Sequence, residues 1–559
     1  MRIAIVGGVA GGASAATRAR RINEDAEITI FEQGPYISYA NCGLPYYAGG
    51  RINDANELLL ETPESLWDRF RIQVNVHSTV KDIDAASGGL RFETQGVTKT
   101  GHFDHFILAP GATPIIPNLP GMERADVFFL RTVPDALRLR DYLEQHPIQH
   151  VTVVGAGFIG MEMTEVLHQR GVEVTVVDRA PQILPPLDRE IAEFLATRLV
   201  NQGIHLNLSN TLAGISGALG HPMVHLSSGQ HIAADLVVIG LGVRPAVRLA
   251  EAMGLVLGST GAIQVDNRMR TSQTNVWAAG DAVEKHDLVT NQPRWWPLAG
   301  VANKEGRVAG TNAAGGNAVL PGALGTAIVR VAPYTIGMTG LTENTARQEG
   351  IPHRVLHTIR GHHAGYYPGA RDVLIKLLYH PDTGRILGGQ VAGEDGIDKR
   401  LDVIATAIHA NMTVDALADL DLAYAPPLGA AKDPIVITGM GASNHHQGLT
   451  QGLTADDLAQ WLDSSEPPYL LDVRDPHETS LGIIPSAHQI PLHDLRGRLT
   501  EIPPNKPIVT YCKSGHRSYL ASRILRQNGH STVYSLSGGI VVWELSQPLH
   551  HKGHPVSAQ

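Results

Sequence analysis

The sequence predicts an α/β protein of three or four domains, two of which are nucleotide-binding units of the Rossmann type. A chain of 559 residues is too long for one hydrophobic core. Its composition, 43% hydrophobic and 18% charged, is that of an ordinary globular protein. Two stretches run from a short apolar strand through a glycine-rich loop into a helix and a second strand. That order is typical of a parallel sheet that binds a dinucleotide.

The first of these units departs from the G-x-G-x-x-G pattern at one position. "RIAIVGG" predicts a strand, "GGVAGGASAATRARR" a loop leading into a helix, and "AEITIFEQ" the second strand. Gly7 and Gly12 match the pattern, whereas Val9 occupies the middle position. Glu32 ends the second strand, where a carboxylate would bind ribose hydroxyls. A tight glycine turn without a nucleotide is the alternative.

The second unit, "HVTVVGAGFIGMEMTEVLHQRGVEVTVVDRA", has the complete pattern in Gly155, Gly157 and Gly160. Such glycines let the backbone approach a pyrophosphate at the helix N-terminus. Asp178 ends the following strand and would bind the 2′-hydroxyl of the ribose while repelling a 2′-phosphate. NADH is therefore favoured, although the adjacent Arg179 keeps NADPH open.

Two further stretches complete a family resemblance. "FDHFILAPGATPIIPNLPG" (103–121) reads as a strand followed by a Gly/Pro segment that contains Gly111, and "TSQTNVWAAGDA" (271–282) as a strand ending in Gly-Asp. In this order the four stretches resemble flavoprotein disulfide reductases over residues 1 to about 440. The resemblance implies FAD in the first unit and NAD(P)H in the second. It also implies that Asp281 contacts the ribityl chain of FAD.

Only two cysteines are present, so no disulfide framework is possible and a reducing, cytoplasmic setting is expected. Cys42, in "SYANCGLPYY", lacks the nearby partner that glutathione-reductase-like enzymes carry. It must therefore cycle through a sulfenic acid, a mixed disulfide or a persulfide. Relatives that use the sulfenic acid have a His in the first glycine loop, and "GGVAGG" has none. "SYANCGLPYY", "AGYYPGA" and "LAYAPPLGAAKDP" resemble coenzyme A-disulfide reductases.

This closer resemblance implies that Cys42 exchanges with CoA disulfide or persulfide in a homodimer. Tyr424 and one of Tyr366 or Tyr367, with Tyr366 preferred, would approach the sulfur from the partner and donate a proton to the departing thiolate. Interfacial packing is the alternative for the tyrosine pair.

The resemblance also suggests further contacts around Cys42. Ser38 and Asn41 flank the thiol and would hydrogen-bond the flavin or the substrate. Because a thiolate is the nucleophile, we expect the pKa of Cys42 to be depressed. The first helix carries Arg18 and Arg20, together with Arg21, as candidate contacts to the CoA phosphates; a solvated helix face is the equal alternative for them.

The C-terminal stretches "PYLLDVRDPHE", "PIVTYCKSGHRSYLASRILRQNG" and "VYSLSGGIVVWEL" resemble a single rhodanese domain. Cys512 ends a strand, and the backbone N–H groups of the loop "CKSGHRS" would stabilise an anionic sulfur. Lys513, His516 and Arg517 add positive charge. Arg517 follows Cys512 by five positions, one fewer than in the related phosphatase loops, which favours Cys512 as a sulfurtransferase nucleophile.

These observations divide the chain into five parts. A stretch rich in Gly, His and Gln reads as a linker, and its His pair is expected to be solvated rather than metal-bound, so no metal site is predicted. The predicted parts are an FAD-binding domain (1–110 and 250–320), an NAD(P)H-binding domain (111–249), an α+β dimerisation domain (321–440), the linker (441–453) and a rhodanese domain (454–559).

The two thiols together predict an FAD-dependent reductase. Cys512 would take up sulfane sulfur from a polysulfide or thiosulfate-like donor and pass it to a small thiol such as CoA. Cys42 would then reduce the CoA persulfide with NADH and release sulfide. The alternatives are a CoA-disulfide reductase for thiol redox balance and, from another class, a redox sensor or sulfur carrier. A net charge of −9 and the absence of a long apolar run favour neither nucleic acid nor membrane as a partner.

Overall fold

The computed structural model describes residues 1–547, so the last part of the predicted rhodanese domain, 548–559, lies outside the described residues. The chain forms two compact units. The first comprises Met1–Pro181 and Gly203–Gly325, and the second comprises Gln182–Gln202 together with the chain from Thr326 onward. The mixed α/β class predicted from the sequence is confirmed.

The first unit begins with a five-stranded parallel sheet. In spatial order its strands are Val276–Ala278, His105–Leu108, Arg2–Val6, Glu27–Phe31 and Ile72–Asn75. Helix Ala10–Ile22 follows the first strand of the chain and packs against helix Ala299–Ala313. The two helices can approach closely because Gly306 has no side chain. A Cβ at this position would lie only 2.2 Å from the carbonyl oxygen of Gly11. The carboxyl ends of these parallel strands meet at one edge, where the first glycine loop lies.

A second five-stranded parallel sheet carries the second glycine loop. Its strands, in spatial order, are His205–Asn207, Glu173–Val177, His150–Val154, Leu236–Ile239 and Val127–Phe129. Helix Phe158–Gln169 starts directly after the loop. Both predicted strand–loop–helix–strand units are therefore present.

Shorter elements complete the first unit. The remaining helices are Leu44–Ala48, Pro63–Phe70, Val133–Gln145 and Arg248–Ala252. The remaining strands are Ser78–Asp84, Gly89–Thr94, Val97–His102, Ala112–Pro114, Leu212–Ser216, Met223–Leu226, His231–Ala233, Val243–Pro245, Lys285–His286 and Pro293–Arg294.

The second unit contains a five-stranded antiparallel sheet. Its strands, in spatial order, are Ala327–Val331, Tyr334–Gly340, Ile386–Gly393, Asp372–Tyr379 and Arg354–Gly361. The accompanying helices are Arg189–Asn201, Glu343–Gln348, Ile397–His409, Val414–Ala418 and Pro434–His446. Residues 182–202, which we predicted within the nucleotide-binding domain, thus group with the second unit.

The prediction of a linker from residue 441 is wrong for its first part, because helix Pro434–His446 continues through it. Glycines allow this helix to pack closely: a Cβ at Gly441 would lie 2.8 Å from the Leu356 side chain. His445 is 8% exposed rather than solvated, and burial, followed by the charge of Arg354, lowers its pKa to about 4. The low apolar content that suggested a linker instead reflects small residues at a tight helix contact.

The C-terminal part of the second unit is a five-stranded parallel sheet with flanking helices. Its strands, in spatial order, are Gln451–Leu453, Val533–Leu536, Ile508–Tyr511, Tyr469–Asp472 and His488–Gln489. Its helices are Ala455–Leu462, Pro476–Thr479, His516–Gln527 and Gly539–Ser546. Over residues 1–547, none of the helices has the length and apolarity that crossing a membrane requires.

Candidate active site

The first glycine loop has the geometry of a dinucleotide-binding turn. Gly7 has φ +94°, and a Cβ there would lie 2.1 Å from the carbonyl oxygen of Ala109. A Cβ at Gly12 would lie 1.8 Å from the oxygen of Gly7, so only glycine fits at either position. Val9 has φ −97°, which a side chain tolerates, so its departure from the pattern leaves the turn intact. The N–H of Gly8 donates to Glu32 Oε2 at 2.9 Å, and this bond holds the predicted ribose-binding carboxylate beside the loop.

The second glycine loop repeats this arrangement. Gly155 has φ +112°, and a Cβ at Gly160 would lie 1.8 Å from the oxygen of Gly155. A Cβ at Gly157 would have no neighbour within 4 Å, so this face of the loop is open to a ligand. Ala156 N–H donates to Asp178 Oδ2 at 2.6 Å, as Gly8 donates to Glu32 in the first loop. Both loops therefore fit a dinucleotide whose pyrophosphate lies at the helix N-terminus.

Three predicted site residues meet around Arg131, which the sequence analysis did not single out. With its amide oriented to suit its neighbours, Asn41 donates to Arg131 O at 2.9 Å and accepts from Nη1 at 3.0 Å. Arg131 Nη2 lies 3.4 Å from Asp281 Oδ2. A Cβ at Gly111 would lie 3.2 Å from the same nitrogen. The guanidinium of Arg131 thus links the turn that carries Asn41 and Cys42 to the Gly-Asp segment that carries Asp281.

Cys42 is an exposed, free cysteine in the turn Asn41–Gly43. Partial burial of the thiol raises its pKa, the nearby carboxylates of Glu162 and Asp281 raise it further, and Arg131 opposes them. The groups of the chain alone therefore do not produce the depressed pKa that we predicted.

Glu162 is a second residue that the sequence analysis missed. It lies on helix Phe158–Gln169, and burial, followed by the charge of Glu165, raises its pKa to about 7. A carboxyl group with such a pKa near a reactive thiol is typical of a functional site. The available signal was a carboxylate flanked by two methionines, Met161 and Met163, in the helix after the second glycine loop.

The backbone around Cys42 and Asp281 is held by buried hydrogen bonds. Ser38, at a strained φ of +44°, donates its N–H to Gly8 O at 2.7 Å and so ties the Cys42 segment to the first glycine loop. Glu305 accepts from Gly280 N at 2.8 Å, and Lys285 donates to Gly280 O at 2.6 Å. The Gly-Asp turn is fixed before any ligand binds.

The structure separates two of the three arginines predicted to contact CoA, Arg18 and Arg20. Arg20 is 6% exposed, and its guanidinium donates to the carbonyl oxygens of Phe70 at 2.7 Å and Arg71 at 3.1 Å. The prediction for Arg20 is wrong, because these internal acceptors occupy its donors. Arg18 is half-buried, donates to Thr311 Oγ1 at 2.9 Å, and stays a prediction.

Two of the three predicted tyrosines are joined in the second unit. The hydroxyls of Tyr366 and Tyr424 are 2.8 Å apart, and both side chains are exposed. This hydrogen bond raises the pKa of Tyr424 and so favours the neutral phenol, the form that can donate a proton. Tyr367 instead packs edge-on against the His363 ring, with centroids 5.5 Å apart. The arrangement favours Tyr366 over Tyr367.

Cys512 lies directly after strand Ile508–Tyr511 and is 1% exposed. Gly515, at φ +101°, donates its backbone N–H to Cys512 Sγ at 3.2 Å, as the predicted anion-stabilising loop requires. Ser518 Oγ lies 3.8 Å from the same sulfur. A Cβ at Gly539 would lie 2.3 Å from Cys512 O, so the first residue of helix Gly539–Ser546 packs tightly against the loop.

Arg517 makes a bidentate ion pair with Glu478, with both N–O distances 2.6 Å. The hydrogen bonds from Arg517 lower the pKa of Glu478 to about 2. The Arg517 charge is thus partly balanced, and its predicted catalytic role stays a prediction. Burial, followed by the charge of Arg360, lowers the pKa of His516 and favours its neutral form.

Comparison with known families accounts for both sites. The family model of the pyridine nucleotide-disulphide oxidoreductases matches residues 1–306, more than half of the chain. The chain belongs to the pyridine nucleotide-disulphide oxidoreductase family. The model of this family's dimerisation domain matches residues 326–433, and the rhodanese-like domain model matches residues 454–546. The protein is therefore an oxidoreductase that depends on FAD and NAD(P)H.

Two curated relatives are named for reactions on sulfur compounds of coenzyme A. The NAD(P)H coenzyme A polysulfide/persulfide reductase of Pyrococcus horikoshii is 35% identical over 78% of this chain and 97% of its own length. The coenzyme A disulfide reductase of Staphylococcus haemolyticus is 31% identical over 79% of this chain and 99% of its own length.

Solved structures extend the similarity over nearly the whole chain. Reduced Bacillus anthracis CoADR-RHD is 41% identical with a TM-score of 0.94, covering 97% of this chain and 98% of its own. An NAD-dependent persulfide reductase from A. fulgidus is 36% identical with a TM-score of 0.89, covering 97% of this chain and 100% of its own.

Proposed function

We propose that this protein is an FAD-dependent NAD(P)H:CoA-persulfide reductase that releases sulfide, with a rhodanese domain that delivers sulfane sulfur. The observation that carries the proposal is the presence of one free cysteine in each of two different sulfur-chemistry sites, with no other cysteine in the chain. Two unpaired thiols also suit a reducing compartment.

We assign the first glycine loop, Glu32 and Asp281 to FAD, and the second loop and Asp178 to NADH. When bound, the two cofactors supply a hydride and then an electron pair for the cleavage of a sulfur–sulfur bond. The chain's own part is to hold the thiol and its surroundings. Arg131 is well placed for this, since it bonds Asn41 next to Cys42 and pairs with Asp281.

In the proposed reaction the Cys42 thiolate attacks one sulfur of the CoA persulfide and the other sulfur departs with the bonding electron pair. Cys42 would keep the sulfur that it attacks until the electron pair supplied by the bound cofactors reduces that bond, and the Cys42 thiolate would then be restored. Overall, CoA persulfide, NADH and one proton give CoA, hydrogen sulfide and NAD⁺. Tyr366 and Tyr424, as a hydrogen-bonded pair from the partner subunit, would donate the proton to the departing sulfur.

In the rhodanese domain, Cys512 would attack the outer sulfur of a donor and hold it as a persulfide. The Gly515 N–H, 3.2 Å from Sγ, is directed at the atom that carries the charge. Transfer of this outer sulfur to CoA would then supply the reductase site with its substrate.

A CoA-disulfide reductase is the second candidate, because the staphylococcal relative bears that name and the Cys42 chemistry is the same. The rhodanese-like domain favours the persulfide, since a disulfide substrate needs no sulfane-sulfur carrier.

The deciding experiment measures anaerobic NADH oxidation with CoA persulfide and with CoA disulfide, while sulfide release is assayed in parallel. We expect faster turnover with the persulfide and one sulfide for each NADH oxidised. Faster turnover with the disulfide, and no sulfide, would instead establish the second candidate.

The Cys42→Ser variant serves as the matched test of the nucleophile. We expect it to bind FAD but to lose NADH-linked reduction of both substrates by at least about a thousandfold, because its hydroxyl cannot replace a thiolate nucleophile. Substantial residual turnover would show that another group carries the reaction.

A further inference from the structure

A cavity of about 310 Å³ lies within the second unit, in front of the Cys512 loop. One side is formed by loop residues Ser514, Gly515 and His516. The facing sides are formed by strand Arg354–Gly361 and helix Pro434–His446. We call this space the sulfur-loop cavity. Its volume is at the lower end of small-molecule sites, which span about 300–1,000 Å³.

Two unpaired cations line the sulfur-loop cavity. Arg360 is half-buried at the end of its strand, and Lys432 is exposed just before the helix. Within residues 1–547, neither makes a hydrogen bond or ion pair with another side chain, and the cavity lining contains no carboxylate. The neighbouring Lys399 and Arg400, in contrast, both pair with Asp433. The cavity therefore offers positive charge to an anionic ligand.

The remaining lining is largely apolar, with contributions from Leu356, Ile359, Ile437 and Met440. Inorganic thiosulfate is too small and too polar to use these contacts. An apolar wall combined with two cations suits an organic molecule that carries anionic groups.

The cavity lies beside the loop that follows the reactive sulfur, while Cys512 itself is 1% exposed and is not part of the cavity lining. Gly515 lines it, and the N–H of the same residue contacts Cys512 Sγ. His516, the next lining residue, is close enough to Arg360 for the guanidinium charge to favour its neutral form. A ligand in the cavity would thus contact Gly515, the residue whose N–H is bonded to Sγ.

The wall opposite the loop is fixed by buried hydrogen bonds. His357 N–H donates to Ser537 Oγ at 2.7 Å, and its ring bonds Ser537 Oγ at 3.0 Å and Glu190 at 2.9 Å. These contacts join the strand that carries Arg360 to the turn beneath the Cys512 loop. The position of Arg360 relative to the loop is therefore set by the fold.

We propose that the sulfur-loop cavity is the binding site for the sulfane-sulfur donor, an anionic organic persulfide whose charged groups contact Arg360 and Lys432. This inference rests on the proposed function, because it assigns the substrate class of the Cys512 site. The donor's organic part occupies the apolar wall, and its outer sulfur lies at the Cys512 loop.

The transfer step is balanced without any further oxidant or reductant. The Cys512 thiolate attacks the outer sulfur of R–S–SH, a new bond forms between Sγ and that sulfur, and the old S–S bond breaks. Its electron pair leaves on the inner sulfur as RS⁻, and the proton stays on the transferred sulfur.

The test uses full-length Cys42→Ser protein, so that only the Cys512 site reacts, and measures thiocyanate formed with cyanide as acceptor. The donors are glutathione persulfide, which carries carboxylates, CoA persulfide, which carries phosphates, and the neutral persulfide of 2-mercaptoethanol. We expect R360Q and K432Q each to raise KM for the anionic donors about tenfold. KM for the neutral donor should change less than about twofold. The anionic donor with the lower KM identifies the preferred acidic group.

Arg330→Gln is the matched control, because Arg330 is an exposed arginine on strand Ala327–Val331, at the opposite edge of the same sheet. It should leave KM unchanged for every donor. Met440→Trp tests the apolar wall and should raise KM for glutathione persulfide more than for thiosulfate. Equal effects of R360Q on charged and neutral donors, or no effect on either, would overturn the inference.

Failure of this inference and failure of the proposed function are distinguishable. If wild-type protein releases no sulfide with NADH but the charge-dependent KM shifts appear, only the reductase assignment fails. If sulfide is released but R360Q and K432Q discriminate no donor, only the cavity assignment fails.

Discussion

At the residue scale, the electrostatic surroundings of Cys42 are unfavourable to its thiolate. Burial, followed by the carboxyl groups of Glu162 and Asp281, raises the pKa of Cys42, and the guanidinium of Arg131 opposes this shift. Asp281 is expected to contact FAD, and Arg131 bonds it. Glu162 is therefore the carboxyl group near Cys42 whose own charge is expected to change near neutral pH.

The first prediction concerns the ionisation of Glu162. Its pKa is raised to about 7, so the carboxyl group is neutral below that pH and negative above it. As the pH rises through 7, the new charge disfavours the Cys42 thiolate. We expect E162Q to alkylate at Cys42 about two- to tenfold faster than wild type at pH 8, with little difference at pH 6.

This is measured as the rate of iodoacetamide labelling of holoenzyme across pH. Glu173→Gln, a half-exposed carboxylate in the same unit, is the control and should follow the wild-type profile. Identical profiles for E162Q and wild type would mean that Glu162 does not act on Cys42.

A second residue-scale prediction concerns the choice of nicotinamide cofactor. Asp178 accepts hydrogen bonds from Ala156 N at 2.6 Å and Ala180 N at 2.7 Å, so its carboxylate is fixed beside the second glycine loop. We expect D178A to lower kcat/KM for NADH about tenfold or more, because a ribose hydroxyl loses a charged acceptor. The value for NADPH should fall less or rise, since the repulsion is removed and Arg179 remains. Parallel loss with both cofactors would show that Asp178 acts only on the loop.

At the element scale, a buried ion cluster holds helix Arg189–Asn201 to the antiparallel sheet of the second unit. Lys376 Nζ lies 2.9 Å from Asp188 Oδ2 and 2.6 Å from both Glu190 Oε1 and Glu343 Oε2. Burial alone would raise the pKa of Glu190 and Glu343, but Lys376, together with His357 at Glu190 and Arg347 at Glu343, outweighs burial and lowers both pKa values. Burial would likewise lower the pKa of Lys376, but the carboxylates raise it.

The sign of the pH dependence follows from these directions. The lowered pKa values of the two glutamates contribute stability above the unfolded value of about 4.3, and this stability is lost as the pH falls below it. The raised pKa of Lys376 contributes stability that is present below about 10.4 and is lost as the pH rises beyond that value.

The third prediction is that K376M destabilises the second unit by about 3–5 kcal/mol, because three buried carboxylates lose their cation. In the variant, burial raises the glutamate pKa values, so lowering the pH from 7 to 5 should increase its unfolding temperature. The measurement is thermal unfolding at both pH values, with exposed Lys99→Met as the control. An unfolding temperature of K376M that stays the same or falls between pH 7 and pH 5 would contradict the prediction.

At the scale of the whole molecule, two thiols of different chemistry share one chain. Tethering raises the effective concentration of the product of one site at the other. The rhodanese domain is therefore expected to matter only for substrates that must first give up a sulfane sulfur.

The corresponding prediction is that C512S keeps NADH oxidation with CoA persulfide within about twofold of wild type, since Cys42 alone carries that step. Transfer from thiosulfate or polysulfide donors should be abolished, because the persulfide cannot form on serine. Both are measured as NADH oxidation with each substrate, the second in the presence of CoA. Equal loss with both kinds of substrate would contradict the two-site scheme.

Elements that depend on residues close together in the chain could be predicted from the sequence. Glycine positions such as Gly12 and Gly160, where a Cβ would collide with the loop, reveal both nucleotide-binding turns from the pattern alone. The Cys512 loop could also be predicted from the sequence, because strand, loop and helix follow one another directly in the chain. The length and composition of those stretches were enough to predict the α/β class.

The tertiary structure alone decided the contacts between residues far apart in the chain. Arg131 bonds Asn41 and lies beside Asp281, 150 positions away, and no local pattern encodes that meeting. The sulfur-loop cavity likewise forms because folding brings Arg360 and the Cys512 loop, which are far apart in the chain, to the same cavity. Burial decided the outcome for Arg20, a predicted CoA contact with a solvated helix face as the alternative, and for His445, which we had predicted to be solvated. The physical reason is that charge and burial are set by neighbours in space, whereas backbone turns are set by neighbours in sequence.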